Sequence, residues 1–289
     1  MSEWPDMLIG AAARVIRVKD GNISTFAEGN GLYYGITWTK DAVYILERGY
    51  HPNDERRTKP ERIRRFPGDV LGHTGNWDGH QILAHNNRML YITVSASNRF
   101  DIIDLQHDTV HEWNYTEHEG RDVNHINSVW IDASIWVCEH NWKNPSVIRE
   151  FSLDRARQLR AVQVGNQIHN VYIENGMLYT CSSKDGTFLE YDLGSGRISR
   201  SVSVTGTPKG ARWTRGLART SDAFYVGVSA LATREQRRSG TAWVLKINND
   251  MKIVDALELP NAGQLCEVRV TSETDRAHNR IAYPNVEAE

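Results

Sequence analysis

Apolar and polar positions alternate along most of the chain, in runs of five to eight residues broken by short polar turns. Alternation of this period marks half-buried β-strands. No sustained helical period competes with it. One unit recurs five times: a polar anchor, an apolar run, a turn, then an apolar–aromatic–β-former triplet. The triplets are Val43-Tyr44-Ile45, Leu90-Tyr91-Ile92, Ile135-Trp136-Val137, Leu178-Tyr179-Thr180 and Phe224-Tyr225-Val226. Their aromatics are spaced 47, 45, 43 and 46 residues apart. A period in the forties built from short strands predicts a β-propeller.

Each repeat divides into four strands, A (innermost) to D (outermost). The second reads HQILAH, MLYITVS, FDIIDL and TVHEWNY; the third HINSVWI, SIWVCEH, VIREFSL and LRAVQV. The fourth reads HNVYI, MLYTCSS, FLEYDL and ISRSVSV; the fifth RGLAR, AFYVGVS, TAWVLKI and KIVDALEL. The first reads YGITW, AVYILER and ERIRRF, with a short strand near 69–71. Turn formers such as Asn86-Asn87, Asn175-Gly176 and Gly194-Ser195-Gly196 separate them. LCEVRVT near the C-terminus reads as one more A strand. MLIGAA, RVIRVKDG and NISTFAEG at the N-terminus read as its B, C and D partners. The expected fold is therefore all-β: a six-bladed propeller of four-stranded antiparallel blades, its last blade closed by strands from both termini. Five blades follow only if the terminal segments pair otherwise. Residues 1–289 form a single domain, since closed all-β folds of this length commonly do.

Composition adds exclusions. Charged residues are 24% and the net charge is −2, which argues against a nucleic-acid binder. No apolar stretch reaches the roughly 20 residues of a membrane helix. The first residues lack the pattern of a signal peptide. Cys138, Cys181 and Cys266 are odd in number and far apart, as buried free thiols of a reducing cytoplasm would be. A cytoplasmic location is the expectation. Nothing in the pattern fixes an oligomeric state.

Aligning the repeats gathers unusual chemistry at the openings of the A strands. Tyr34, Asp78, His80, His125, Asn127, His169, Asn170, Arg215 and Glu267 all fall there, with His140 on the adjoining B–C side. The functional reading is a divalent metal ion held by His80, His125 and His169, with Glu267 as fourth ligand. Zinc is the foremost candidate, with iron, manganese or calcium as the others. Arg215 would grip a carboxylate or phosphate. Glu267, Tyr34 or His140 would move a proton. Two long B–C loops, 48–62 and 230–240, carry Arg56, Arg57, Lys59, Arg234, Arg237 and Arg238 and would overhang the channel. A cationic mouth concentrates a small anionic substrate. Trp77, Asp78, Asn127, Asn170, Arg234 and Arg237 are the expected substrate contacts, with Trp142 as a further wall. The competing reading is a non-catalytic propeller that binds a ligand or protein, with histidines that only tie blades together.

The repeat with its split closing blade resembles six-bladed propellers of the NHL and gluconolactonase/regucalcin kind. Gluconolactonase-like members hold an axial calcium through Glu, Asn and Asp, whereas the matched positions here are mainly His. Three axial histidines resemble peptidyl-hydroxyglycine amidating lyase, an NHL-type propeller with axial zinc. That likeness implies His80, His125 and His169 as ligands and lyase or hydrolase chemistry. HINSVWI, RGLARTSDAFYVGVSALATRE and LCEVRV also resemble an uncharacterised bacterial propeller family with H-x-N and RGL…VGxS segments, which implies the fold but no reaction.

Overall fold

Six four-stranded antiparallel sheets arise wherever the alternating pattern meets a turn. The computed structural model describes residues 4–29, 31–49, 61–68, 70–71, 78–116, 121–233 and 235–287. The innermost strands of the first five blades are Gly31–Trp38, Gly79–His85, Ile126–Ile131, Ile168–Glu174 and Ala211–Arg219. In each blade the next three strands follow in chain order. The sixth blade is the expected composite. Leu265–Val270 is innermost and pairs with Met7–Ala11, followed by Arg14–Lys19 and Asn22–Glu28. Closure by both termini pairs the ends of the chain in one sheet and leaves no long unpaired edge between them.

The expected strands match these to within a residue or two. The exceptions are the inner strands of blades one and five, which start at Gly31 rather than Tyr34 and at Ala211 rather than Arg215. Burial follows position in the blade. Inner strands are buried along most of their length, and Ile126–Ile131 and Leu265–Val270 along all of it. Outermost strands such as Arg197–Ser203 are mostly exposed. The triplet aromatics Tyr44, Tyr91, Trp136, Tyr179 and Tyr225 pack as core between sheets. Among the described residues no helix is long and apolar enough to cross a membrane.

The sequence pattern did not anticipate the course of residues 271–287. This strandless segment crosses the end of the ring where the inner strands finish. His278 Nε2 lies 2.7 Å from Thr37 Oγ1, Trp38 Nε1 donates to the Ile281 carbonyl at 2.7 Å, and Arg276 and Arg280 pair with Glu174 and Asp132. Those contacts reach blades one, three and four, and the Arg219 amide of blade five donates to Asp275 at 3.0 Å. The segment thus covers one end of the channel and leaves the other end, where the inner strands start, for a site.

Candidate functional site

Each inner strand loses register with its neighbour near its start. The residues skipped at equivalent places are Tyr34, His80, Asn127, Asn170, Arg215 with Gly216, and Cys266, and blade five also skips Arg212. A bulge leaves its residue outside the ladder and re-aims the side chain. These six positions are the true structural equivalents. His80 occupies one, His169 precedes its bulge by one residue, and His125 precedes its by two. The three histidines therefore stand at different offsets, with Asn127 rather than His125 in the equivalent place of blade three. His125 sits before its strand in the left-handed region, φ 51°, and that turn brings it back to the cavity.

The cavity occupies about 280 Å³. One side is a run of rings with centroid separations of 5.0 Å (Tyr34–His80), 4.6 Å (His80–His125), 5.0 Å (His125–His140) and 5.5 Å (His140–His169). Arg48, Asp78, Arg215, Arg237 and Arg238 supply charge, and Trp142 and Trp213 supply flat walls.

Hydrogen-bond partners fix the imidazole tautomers. His80 Nδ1 lies 2.8 Å from the Asp78 carbonyl, which can only accept. His125 Nδ1 lies 3.0 Å from the Asp122 carboxylate, again an acceptor. His169 Nδ1 lies 2.7 Å from Ser183 Oγ, whose own proton goes to the Thr214 carbonyl. All three therefore carry the proton on Nδ1 and keep the Nε2 lone pair. His140 is the reverse. Its Nδ1 accepts from the Trp142 amide at 3.1 Å, so Nε2 is an N–H donor.

Burial sets the charge state. Desolvation, then His125 and the nearby arginines, holds His80 well below the ordinary imidazole range. Desolvation, then Arg215 and the other histidines, does the same to His169. Burial first, then His125 and Arg215, lowers His140 to about 3. These rings are neutral at pH 7, the form that ligates metal.

The donor atoms of Asp78, His80 and His125 all lie within 4.8 Å of one another and are buried. That group could hold a metal ion. The donor chemistry fits: two imidazoles with Nε2 free and Nδ1 bonded to oxygen, the outer-shell arrangement of metal-binding histidines. Asp78 also pairs with Arg48, which in turn lies 3.4 Å from Glu61. His169 lines the same cavity but stands outside this close group. Asp78, expected as a substrate contact, is placed among the donors instead.

Glu267 is not where the sequence suggested. It does not line the cavity; it lies in the layer of the channel below, in a fully buried pair with Arg269 at 3.0 Å. Its oxygens also accept from Gln81 Nε2 at 3.1 Å and Asn170 Nδ2 at 3.3 Å. Asn127 and Asn170 do not line the cavity either. Asn127 donates to the Ile168 carbonyl at 2.7 Å, and Asn170 accepts from the Gly216 amide at 2.8 Å. Both tie one blade to the next. Tyr34, His140, Arg215 and Arg237 do line it. Trp77 and Arg234 lie outside the described residues.

Sequence reasoning missed Asp122, Gln167 and Trp213. Asp122 and Gln167 fall in loops between blades, where no periodicity points. Ser95 and Ser183 were legible: each follows the second strand of its blade and bonds the histidine of that blade.

Many solved structures share this fold. No protein-family model and no curated protein matches the chain. A protein of unknown function from Bacteroides caccae aligns with TM-score 0.64 and 14% identity over 92% of this chain and 98% of its own. A chain of a nidogen/laminin complex aligns with TM-score 0.64 and 10% identity, over 93% and 99%. Virginiamycin B lyase from Staphylococcus aureus aligns with TM-score 0.51 and 14% identity, over 80% and 84%. Likeness at this identity establishes the propeller and does not separate the NHL from the regucalcin kind.

Proposed function

We propose that the protein is a metal-dependent enzyme of the lyase or hydrolase type, acting on a small anionic molecule in the cavity. The observation that carries this reading is the tautomer pattern. Each of His80, His125 and His169 has Nδ1 bonded to oxygen, so the Nε2 atoms of all three are left for one cavity. His80, His125 and Asp78 would hold the ion, with His169 completing the set. Imidazole donors favour zinc or iron over manganese or calcium, which prefer oxygen ligands. A bound ion would supply Lewis acidity toward a carbonyl, hydroxyl or water oxygen.

The chain's own groups divide the remaining work. The Arg215 guanidinium holds the anionic group. His140 presents Nε2–H to a substrate oxygen; as a neutral imidazole at pH 7 it acts as a hydrogen-bond donor. Tyr34, with Arg48 and Arg215 over its ring at 5.2 and 4.5 Å, is the remaining group that can move a proton. Glu267 has no such role, since Arg269 holds it below the cavity.

The test is elemental analysis of purified protein, with melting temperature before and after chelator. About one transition metal per chain is expected, lost in His80→Ala and His125→Ala. A metal-free protein, untouched by chelator and binding no added zinc, would sink the proposal. One observation favours a second reading. His169 stands apart from the close donor group, which suits a ligand-binding propeller whose imidazoles accept hydrogen bonds without an ion. Ligand binding that persists unchanged without metal would favour it.

A further inference from the structure

The charges around the cavity do not balance. Arg48 is answered by Asp78 and Glu61. Arg215, Arg237 and Arg238 also line the cavity, and among the described residues none of them makes an ion pair. Arg215 is the telling one: it is only 5% exposed, and its guanidinium rests on the Tyr34 ring at 4.5 Å. A buried cation without a counter-ion is costly unless a ligand supplies one. Arg237 and Arg238 are half-buried and partly screened by water, so together they call for less than two charges.

Resting on the reading of this cavity as the substrate site, we propose that its substrate is a small dianion. One negative charge lies on Arg215. The second lies between Arg237 and Arg238. A volume of about 280 Å³ is at the small end of ligand cavities. It suits a short dicarboxylate or a small phosphate monoester rather than a nucleotide or a peptide. The two share the chemistry that the arginines recognise: two charges presented on planar or tetrahedral oxygens that a guanidinium grips through paired N–H donors.

Calorimetric titration of the full chain at roughly physiological salt tests this, with propionate, malonate and inorganic phosphate as probes. Malonate, phosphate or both should bind at least about tenfold more tightly than propionate, and the stronger of the two identifies the source of the dianion. The double variant Arg237→Gln/Arg238→Gln should lose that advantage yet still bind propionate. Arg215→Gln should lose all three. Propionate binding as tightly as both dianions, or Arg215→Gln binding like the parent, would overturn the inference, as would the absence of binding by any probe. Repeating the titrations after chelation, with metal content measured, separates the two ideas. A resident metal without dianion preference sinks only this inference. A dianion preference in a protein that never holds metal sinks only the metal reading.

Discussion

An imidazole can serve as a ligand only when its other nitrogen carries the proton and its charge is gone; single neighbours set the first condition here and burial sets the second. Asp122 is the neighbour of His125, bonding Nδ1 at 3.0 Å from a partly exposed loop. Removing it should leave the fold intact and free the ring. Asp122→Ala is expected to weaken metal affinity by about ten- to a hundredfold, with a change in stability of no more than about 1 kcal/mol. Competition with a chromophoric chelator measures the first and urea unfolding the second. Unchanged affinity would mean that His125 is not a ligand. The charge condition has its own signature in metal-free protein. His80, His140, His169 and His278 all have folded pKa values below that of the unfolded chain. The unfolded state then binds more protons below about pH 6.5, so stability is full above that value and is lost as pH falls toward about 3. Asp275 acts oppositely, since burial raises it to about 7 and its ionisation costs the folded state as pH rises. Glu267 is raised in the same sense. His85 adds to the first group and Glu273 to the second, and five histidines outweigh three carboxylates. The unfolding free energy should fall by at least about 1.4 kcal/mol per pH unit between roughly pH 6 and 5. A flat profile across that range would contradict the burial of these rings as neutral groups.

Bulges, more than strands, decide where these side chains go. Strand alternation was readable because burial on one face imposes a period of two, and every blade was legible to within a few residues. A bulge follows no period; it depends on the neighbouring strand and on local backbone freedom. Asn170 at φ 61° and Gly216 at φ 94° show that freedom being used. Alignment by sequence therefore gathered His80, His125 and His169 at the strand openings, while the structure sets them at three offsets from their bulges. The same limit explains Glu267. Its inner strand was correctly found, yet its depth along the channel, which decides whether it meets His80 or Arg269, is a matter of register. Gly216 offers a direct test. A Cβ there would approach the backbone of Glu267 and Val268 to 3.0 Å and the Val268 side chain to 2.9 Å, at a φ that L residues rarely adopt. Gly216→Ala is expected to cost about 2 kcal/mol or more and to displace Arg215. A lowered urea midpoint together with weakened anion binding is the expected pair of results. A midpoint equal to that of the parent would show that the bulge has room to relax.

A ring of six sheets needs something at its axis, and here that is a polar network rather than a hydrophobic plug. Arg269 of blade six donates to the Ile36 carbonyl of blade one and the Leu217 carbonyl of blade five, and pairs with Glu267. Glu267 reaches Gln81 of blade two and Asn170 of blade four. Gln81 accepts from the Val129 amide of blade three at 2.7 Å. Every blade is thus tied to one ion pair whose two side chains are each 1% exposed. Such a pair contributes little relative to a well-packed apolar replacement, but breaking it leaves a charge stranded in the interior. Arg269→Met should therefore cost about 3–5 kcal/mol. Its effect should also depend on pH. Glu267 without Arg269 has a folded pKa raised further above its unfolded value, so the variant loses stability as pH rises through that range and recovers some of it as pH falls toward about 5. Glu267→Gln added to Arg269→Met removes the stranded charge, and the double variant should be more stable than Arg269→Met alone. Urea unfolding of the parent, both single variants and the double variant reads the coupling directly. Strict additivity would mean that the two groups do not act as a pair. A double variant that folds and still takes up metal would show that this axial layer fastens the ring, while the histidines and arginines above it form the site.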